Sequence, residues 1–372
     1  SDMTFEVASG ATLQFMGKGE GVAPTHTESL PGSGGEVTVS NFAHLMARDA
    51  RNLTLTGGGR INGNGPGWWP HRLVGPRPFL LKFVRCSDIF VQDITLEDAA
   101  AWTTHALYVD RAVFSDVTIL KTSTVSGANG DGIDPDSAHD VLIVGCRFGN
   151  QDDSIAIKSG AVSARNPHRQ RSTERITIRD CEFDGNLAPG AHPLGIAIGS
   201  ENCGGVRDVL IRDCVFRNVA SVAFIKTSRE RRGAQIENVR VENCVFTGTK
   251  SYSSKLAPLR TPLGIYALYG DPTDPAGHGV PANADTPVIR NVQFKNIAID
   301  EHVRRCISLI GLPERRTSDL TFTNVRAAAP WGLHGQNLDG VTLKNVVIEA
   351  GDGIPLTWIN AQNIVLDPPP SS

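Results

Sequence analysis

Two acidic stretches carry the side chains most able to do chemistry. The first is NGDGIDPDS from Asn129, and the second is NQDDSIAIKSG from Asn150. Asp152 follows Asp131 by 21 residues, and Asp153 is its immediate neighbour. If the chain returns on itself once in that distance, as stacked parallel strands about 4.8 Å apart do, the lone acid lies beside the doublet. Three carboxylates so close repel one another, so at least one should keep its proton near neutral pH while a neighbour stays ionised. That division suits an acid and a base working on opposite sides of a glycosidic bond. Adjacent side chains of a regular strand point to opposite faces, so a turn or bulge is predicted at Asp152–Asp153 if both are to reach one cleft. A solvated acidic corner or a calcium site would use the same residue types. An EF-hand does not fit, because Asp131, Asp134 and Asp136 do not follow D-x-D-x-D-G.

The elements that must position these acids are visible as internal repeats, whose detection decides the whole fold. Short similar segments begin at Asn52 (NLTLTG), Asp88 (DIFVQDITL), Asp140 (DVLIVGCRF), Arg175 (RITIRDCEF), Asp208 (DVLIRDCVF), Asn238 (NVRVENCVF) and Asn291 (NVQFKNIAI), with further copies at Asp319, Gly340 and Asn363. Each alternates apolar and polar residues, turns a polar corner and alternates again, which is the period of half-buried strands rather than helices. Irregular spacing between copies implies loops of different length on a constant unit. The fold class expected is all-β, a right-handed parallel β-helix, in one domain over residues 1–372. Cys146, Cys181, Cys214 and Cys244 each stand two residues before a Phe. They read as a packing ladder of small buried thiols rather than as disulfides.

The opening SDMTFEVASGATLQF reads as a coil strand with nothing before it, so an N-terminal capping coil is expected to be missing. The Pro-rich tail DPPPSS ends strand pairing. Residues Ser251 to Pro287, rich in Gly, Pro and Asp, read as one long loop overhanging a face.

Composition excludes several classes. Hydrophobic residues at 40% and charged residues at 20% are those of a folded soluble protein. With 36 Lys plus Arg against 39 Asp plus Glu and no long basic run, nucleic acid and membrane surfaces are not expected partners. No apolar run is long enough to span a bilayer. The seven cysteines contain no C-x-x-C pair, which argues against a zinc knuckle or a thioredoxin-like motif. The glycines of GGGRINGNG, from Gly57, lack the Lys and Ser/Thr of a phosphate loop and read as coil-corner turns.

Several ordered motifs together resemble glycoside hydrolase family 28, the polygalacturonase family. They are GGGRINGNGPGWW from Gly57, RPFLLKFVRCSDIFVQDITL from Arg77, AWTTHALYV from Ala101, NGDGIDPDS from Asn129, QDDSIAIKSG from Gln151, GIAIGSE from Gly195 and FIKT from Phe224. The resemblance implies a right-handed β-helix that hydrolyses pectic polysaccharide or oligosaccharide in one step with inversion. Asp152 would be the general acid and Asp131 and Asp153 would activate water, with no metal and no cofactor. Asn129, Gln151, His192, Phe224, Lys226 and Tyr269 would contact substrate, while Trp68, Trp69, Trp102 and His105 could either line a groove end or pack under loops. Secretion or a periplasmic location, and action as a monomer, also follow from the resemblance.

Two departures bear on substrate. Where the family has G-H-G, this chain reads AHPLG from Ala191, with His192 one position displaced. Where it has R-I-K, this chain has Phe224-Ile225-Lys226. A guanidinium fork recognises a carboxylate bidentately, whereas Phe offers an apolar face for a sugar ring. Either the sugar there is not plain galacturonate, pointing to rhamnogalacturonan or a substituted galacturonan, or Arg229, Arg231 or Arg232 reaches in instead. Two alternatives from other classes remain: a β-helix polysaccharide lyase, against which the paired aspartates argue, and a non-catalytic carbohydrate-binding homologue.

Overall fold

The alternating units do stack. In the computed structural model, residues 2–19, 30–31, 37–38, 42–71, 77–161, 171–191, 193–229, 233–248, 261–269, 278–300 and 303–368 are described. Among them, 26 strands join into one continuous hydrogen-bonded sheet that winds as a right-handed parallel β-helix. Each coil pairs in parallel with the next, so a residue of one unit meets its equivalent one turn later. Leu53, Ile89, Ala112, Val141, Ile176, Val209 and Val239 form one such inward column. All seven are buried. Burying one aliphatic side chain stabilises by about 1.5–3 kcal/mol, and the column repeats that gain in every coil.

The polar corners have a conformational cause. The first residues of the repeats, among them Asn52, Asp88, Asp140, Arg175, Asp208, Asn238 and Asn291, sit at φ between 51° and 59°. Asn and Asp tolerate this left-handed region best, because their short polar side chains bond locally. They also bond between coils, as Asn238 donates to Asp208 at 2.9 Å and Asn291 to Asn238 at 2.7 Å.

The predicted thiol ladder matches the structure: all seven cysteines are free and buried. Beside it Phe148, Phe183 and Phe216 stack with ring centroids 4.9 and 4.4 Å apart.

One expectation is corrected. Residues 251–287 are not a single loop, because Leu263–Tyr266 is a strand of the helix, pairing with Ala223–Lys226 and with Arg305–Ile310. Residues 251–260 and 270–277 of that stretch lie outside the described residues. The strand is four residues long and contains Gly264, so its alternation is too brief to read. Its partners are the reason it forms.

The sheet that carries the acids runs through Thr104–Leu107, Ile133–Asp136, Asp153–Ile157, Leu194–Gly199, Ala223–Lys226 and Leu263–Tyr266, each paired to the next. Ile155, Ile196, Ala223 and Leu263 share one position across it.

Candidate active site

The two acidic stretches meet as the repeat spacing requires. Ile133 pairs with Ile155, and the Gly132 N–H donates to the Asp153 carbonyl at 2.9 Å, which sets Asp131 alongside the doublet. The chain bends at Gln151–Asp152 and enters its strand only at Asp153. This is the predicted break in alternation, and it brings Asp152 to bear on Asp131. The Asp153 N–H donates to Asp152 Oδ1 at 3.0 Å.

Asn150 locks the crossing. Its buried Nδ2 lies 2.9 Å from the Gly130 carbonyl, 3.1 Å from that of Asp152 and 3.0 Å from that of Asp153. Sequence reasoning gave Asn150 no role, although its place directly before the doublet was the available signal. Arg77 fixes the other side of the loop, donating to the carbonyls of Ala100 and Ala128 at 2.7 and 2.5 Å and to Asn129 Oδ1 at 2.8 Å. Asn129, at φ 55°, is thus held on the loop by Arg77, with its surface exposed. Gln151 lies over Gly127 and Gly130, where an added Cβ would come within 2.2 and 2.4 Å of its side chain. The glycines make room for Gln151, whose amide props the loop.

Two lysines face the acids from the same position of coils two turns apart, with Gly199 between them. Lys226 Nζ donates to Asp153 Oδ2 at 2.5 Å and stands 5.4 Å from the Tyr269 ring centroid. Lys158 Nζ lies 3.2 Å from Glu201 Oε2, 3.6 Å from Asp131 Oδ2 and 3.9 Å from Asp134 Oδ2. It also stands 4.7 Å from the Trp102 ring centroid. Both lysines are almost fully buried. Burial alone would discharge them, but Asp153 for Lys226 and chiefly Glu201 for Lys158 outweigh it, so both are held above the ordinary lysine range.

The carboxyls are pushed the other way. Asp131 is raised well above the usual carboxylate range by burial and then by the charge of Asp152, with Lys158 opposing. Asp134 is raised likewise by burial and then by Asp131. Both oxygens of Asp134 are buried without a hydrogen-bond partner. His105, fully buried, is lowered to about 4 by burial and by Lys82, and it pairs as a neutral ring with Asp136 at 3.0 Å.

The remaining candidates are placed as follows. Phe224 is 5% exposed, and a Cβ on Gly264 of the next coil would come within 2.3 Å of its ring. Its face is therefore packed, which corrects the expectation of a free stacking surface. Arg229 is engaged by Glu314 at 2.6 and 3.0 Å and by the His278 carbonyl at 2.7 Å, so it does not stand in for the missing Arg. His192, Arg231 and Arg232 lie outside the described residues. Trp69, Trp102 and His105 are buried, with Trp102 stacked on Phe79 at 5.0 Å, so they pack rather than line an open groove. Trp68 donates from Nε1 to the Met16 carbonyl at 3.1 Å. Among the described residues no set of three or more His, Cys, Asp or Glu is arranged to hold a metal ion, and no helix is long and apolar enough to cross a membrane.

Comparison with known proteins agrees with this picture. Residues 4–256 match the family model for glycosyl hydrolases family 28. A probable polygalacturonase of Vitis vinifera is 28% identical over 304 residues, 79% of this chain and 56% of that protein. A probable polygalacturonase of Arabidopsis thaliana is 32% identical over 187 residues, 49% of this chain and 36% of that protein. The chain thus spans about half or less of the length of these relatives. In fold it is similar to an exopolygalacturonase from Thermotoga maritima, with a TM-score of 0.71 at 23% identity over 93% of this chain and 79% of that one. It is also similar to a family 28 exopolygalacturonase from Yersinia enterocolitica, with a TM-score of 0.77 at 15% identity over 100% of this chain and 70% of that one.

Proposed function

The chain belongs to glycosyl hydrolases family 28, and from that membership we propose that it is an extracellular inverting hydrolase of pectic polysaccharide or oligosaccharide. The observation that carries the reading is the carboxyl cluster in which the buried Asp131 of one coil meets the half-buried Asp152 and the buried Asp153 of the next. Lys226 donates to Asp153 Oδ2 at 2.5 Å and so fixes the carboxylate that takes a proton from the attacking water. The Asp131–Asp152 pair shares a proton between two carboxyls that cannot both ionise cheaply, and Asp152 delivers it to the leaving oxygen. Water adds on the face of the ring opposite the leaving group, so the anomeric configuration inverts.

The substrate follows from the charges left over. Phe224 replaces a guanidinium and is packed on Gly264, Arg229 is held by Glu314, and Lys226 is bonded to an enzyme carboxylate. Among the described residues, fixed positive charge for a uronate at that point is accordingly weak. We assign the sugar beside the scissile bond as neutral or substituted, as in rhamnogalacturonan or a substituted galacturonan. Turnover measured side by side on polygalacturonate, rhamnogalacturonan and esterified or xylose-bearing galacturonan tests this. Faster cleavage of the latter groups is expected, and exclusive cleavage of unsubstituted polygalacturonate would overturn the assignment.

A further inference from the structure

Lys158 and Glu201 have no part in the chemistry above, yet they meet the reacting carboxyls. We infer that they act as a positioning pair, in which Glu201 draws the Lys158 ammonium away from Asp131 and thereby sets how tightly the Asp131–Asp152 carboxyls hold their shared proton. The inference rests on the hydrolase reading for its catalytic consequence, though not for the titration itself.

The geometry is a competition for one cation. Lys158 Nζ is closer to Glu201 Oε2, at 3.2 Å, than to Asp131 Oδ2, at 3.6 Å. All three side chains are at most 8% exposed, so solvent screens the competition little. Glu201 is held in place through its backbone, whose carbonyl accepts from the Ser159 N–H at 2.7 Å, next to Lys158 in sequence. Trp102 supports the ammonium from its ring face.

Charge balance shows what is at stake. Five carboxyls face this region: Asp131, Asp134, Asp152, Asp153 and Glu201. Among the described residues two ammonium groups answer them directly, Lys226 bonded to Asp153 and Lys158 nearest to Glu201. Asp131 and Asp134 stand farther from Lys158, at 3.6 and 3.9 Å, than Glu201 does at 3.2 Å, so burial first and neighbouring acids second raise both carboxyls against a weakened opposing charge. Among the described residues the other titratable groups nearby include Asp136, whose backbone forms a β-bridge with Lys158 and whose side chain pairs with His105, the neutral His105 itself, and the buried Lys82. Lys158 stands within ion-pair range of Asp131, at 3.6 Å. The acid that keeps the buried Lys158 charged is thus the same one that competes with Asp131 for it.

Opposite variants should act in opposite directions. Glu201→Gln leaves the Lys158 charge to Asp131 and lowers the proton affinity of the Asp131–Asp152 pair. Lys158→Met removes the cation and raises it. Each displacement should be about one pH unit, and the double variant should return close to the wild-type value. Carbon-13 NMR titration of aspartate carboxyls, assigned by the signals lost in Asp131→Asn and Asp152→Asn, reads this without turnover. In the pH–rate profile the alkaline limb, where the donated proton is lost, should fall with Glu201→Gln and rise with Lys158→Met. Displacement of both single variants in one direction, or of neither, would overturn the inference. Glu201→Gln alone suffices for that decision if Lys158→Met does not fold. Correct titrations without hydrolysis of any pectic substrate would instead count against the hydrolase reading and leave the pair standing.

Discussion

Along the outer corner of the coils, Asp88 and Asp140 each meet a guanidinium of the next coil, Arg111 at 2.6 Å and Arg175 at 2.7 Å. On the sheet that carries the acids, Asp131 and Asp134 are buried near each other and share one ammonium. The same residue type is driven in opposite directions. The Arg111 bond holds Asp88 down to about 2, and the Arg175 bond lowers Asp140, whereas burial and neighbouring acids raise Asp131 and Asp134. Coil stacking makes both arrangements, since it puts every residue beside its equivalent. What differs is whether the equivalent is a cation in water or another acid out of it. The corner repeats an exposed ion pair, and the acid-bearing sheet departs from the repeat to bury carboxyls beside one another.

The contrast can be pressed hardest at the groove. Asp152→Asn should lower kcat on pectic oligosaccharides by about 100- to 10,000-fold, measured by reducing-end release, with an unchanged melting temperature. Asp153→Asn should cost rate as well, and it also strands the buried Lys226 charge, so unfolding in denaturant should show a loss of about 3–5 kcal/mol. A smaller effect of opposite sign is expected at Asp134. A carboxyl raised by folding contributes stability that is complete below its unfolded value and is lost as pH rises through the folded value. Asp134→Asn should therefore stabilise the protein at pH 7 and flatten its gain in stability towards acid, as melting temperatures across pH would show. At the corner, Asp140→Asn keeps the left-handed backbone that Asn also tolerates and loses only an exposed pair, so the cost should be at most about 1 kcal/mol, with activity unchanged.

How far the sequence alone reached depended on the range of the pairing. The repeats from Asn52 to Asn363 exposed the coil, because each unit alternates over enough residues to declare its period. The 21-residue step from Asp131 to Asp152 could be read as one coil, and the bend at Asp152 followed from two neighbouring acids needing one cleft. The lysines were harder. Lys226 reaches Asp153 across 73 residues and loops of unequal length, so Lys226 was read as a substrate contact rather than as the partner of an enzyme carboxylate. Lys158 stands in the QDDSIAIKSG segment, where nothing local marks the Glu201 carboxylate 43 residues on as its partner. Phe224 looked available for stacking because the space that accepts its ring belongs to Gly264, one coil later. Four residues, Leu263–Tyr266, were too few to stand out from the loops around them.

The most direct test of the central claim, that Asp131, Asp152 and Asp153 act as one carboxyl cluster on a single linkage, is the anomeric configuration of the first product. Proton NMR followed from the start of digestion of a pectic oligosaccharide cleaved by the enzyme should show the new reducing end appearing in the inverted configuration before mutarotation, with no such signal from Asp152→Asn. A retained configuration, or an unsaturated product at the non-reducing end, would contradict the account.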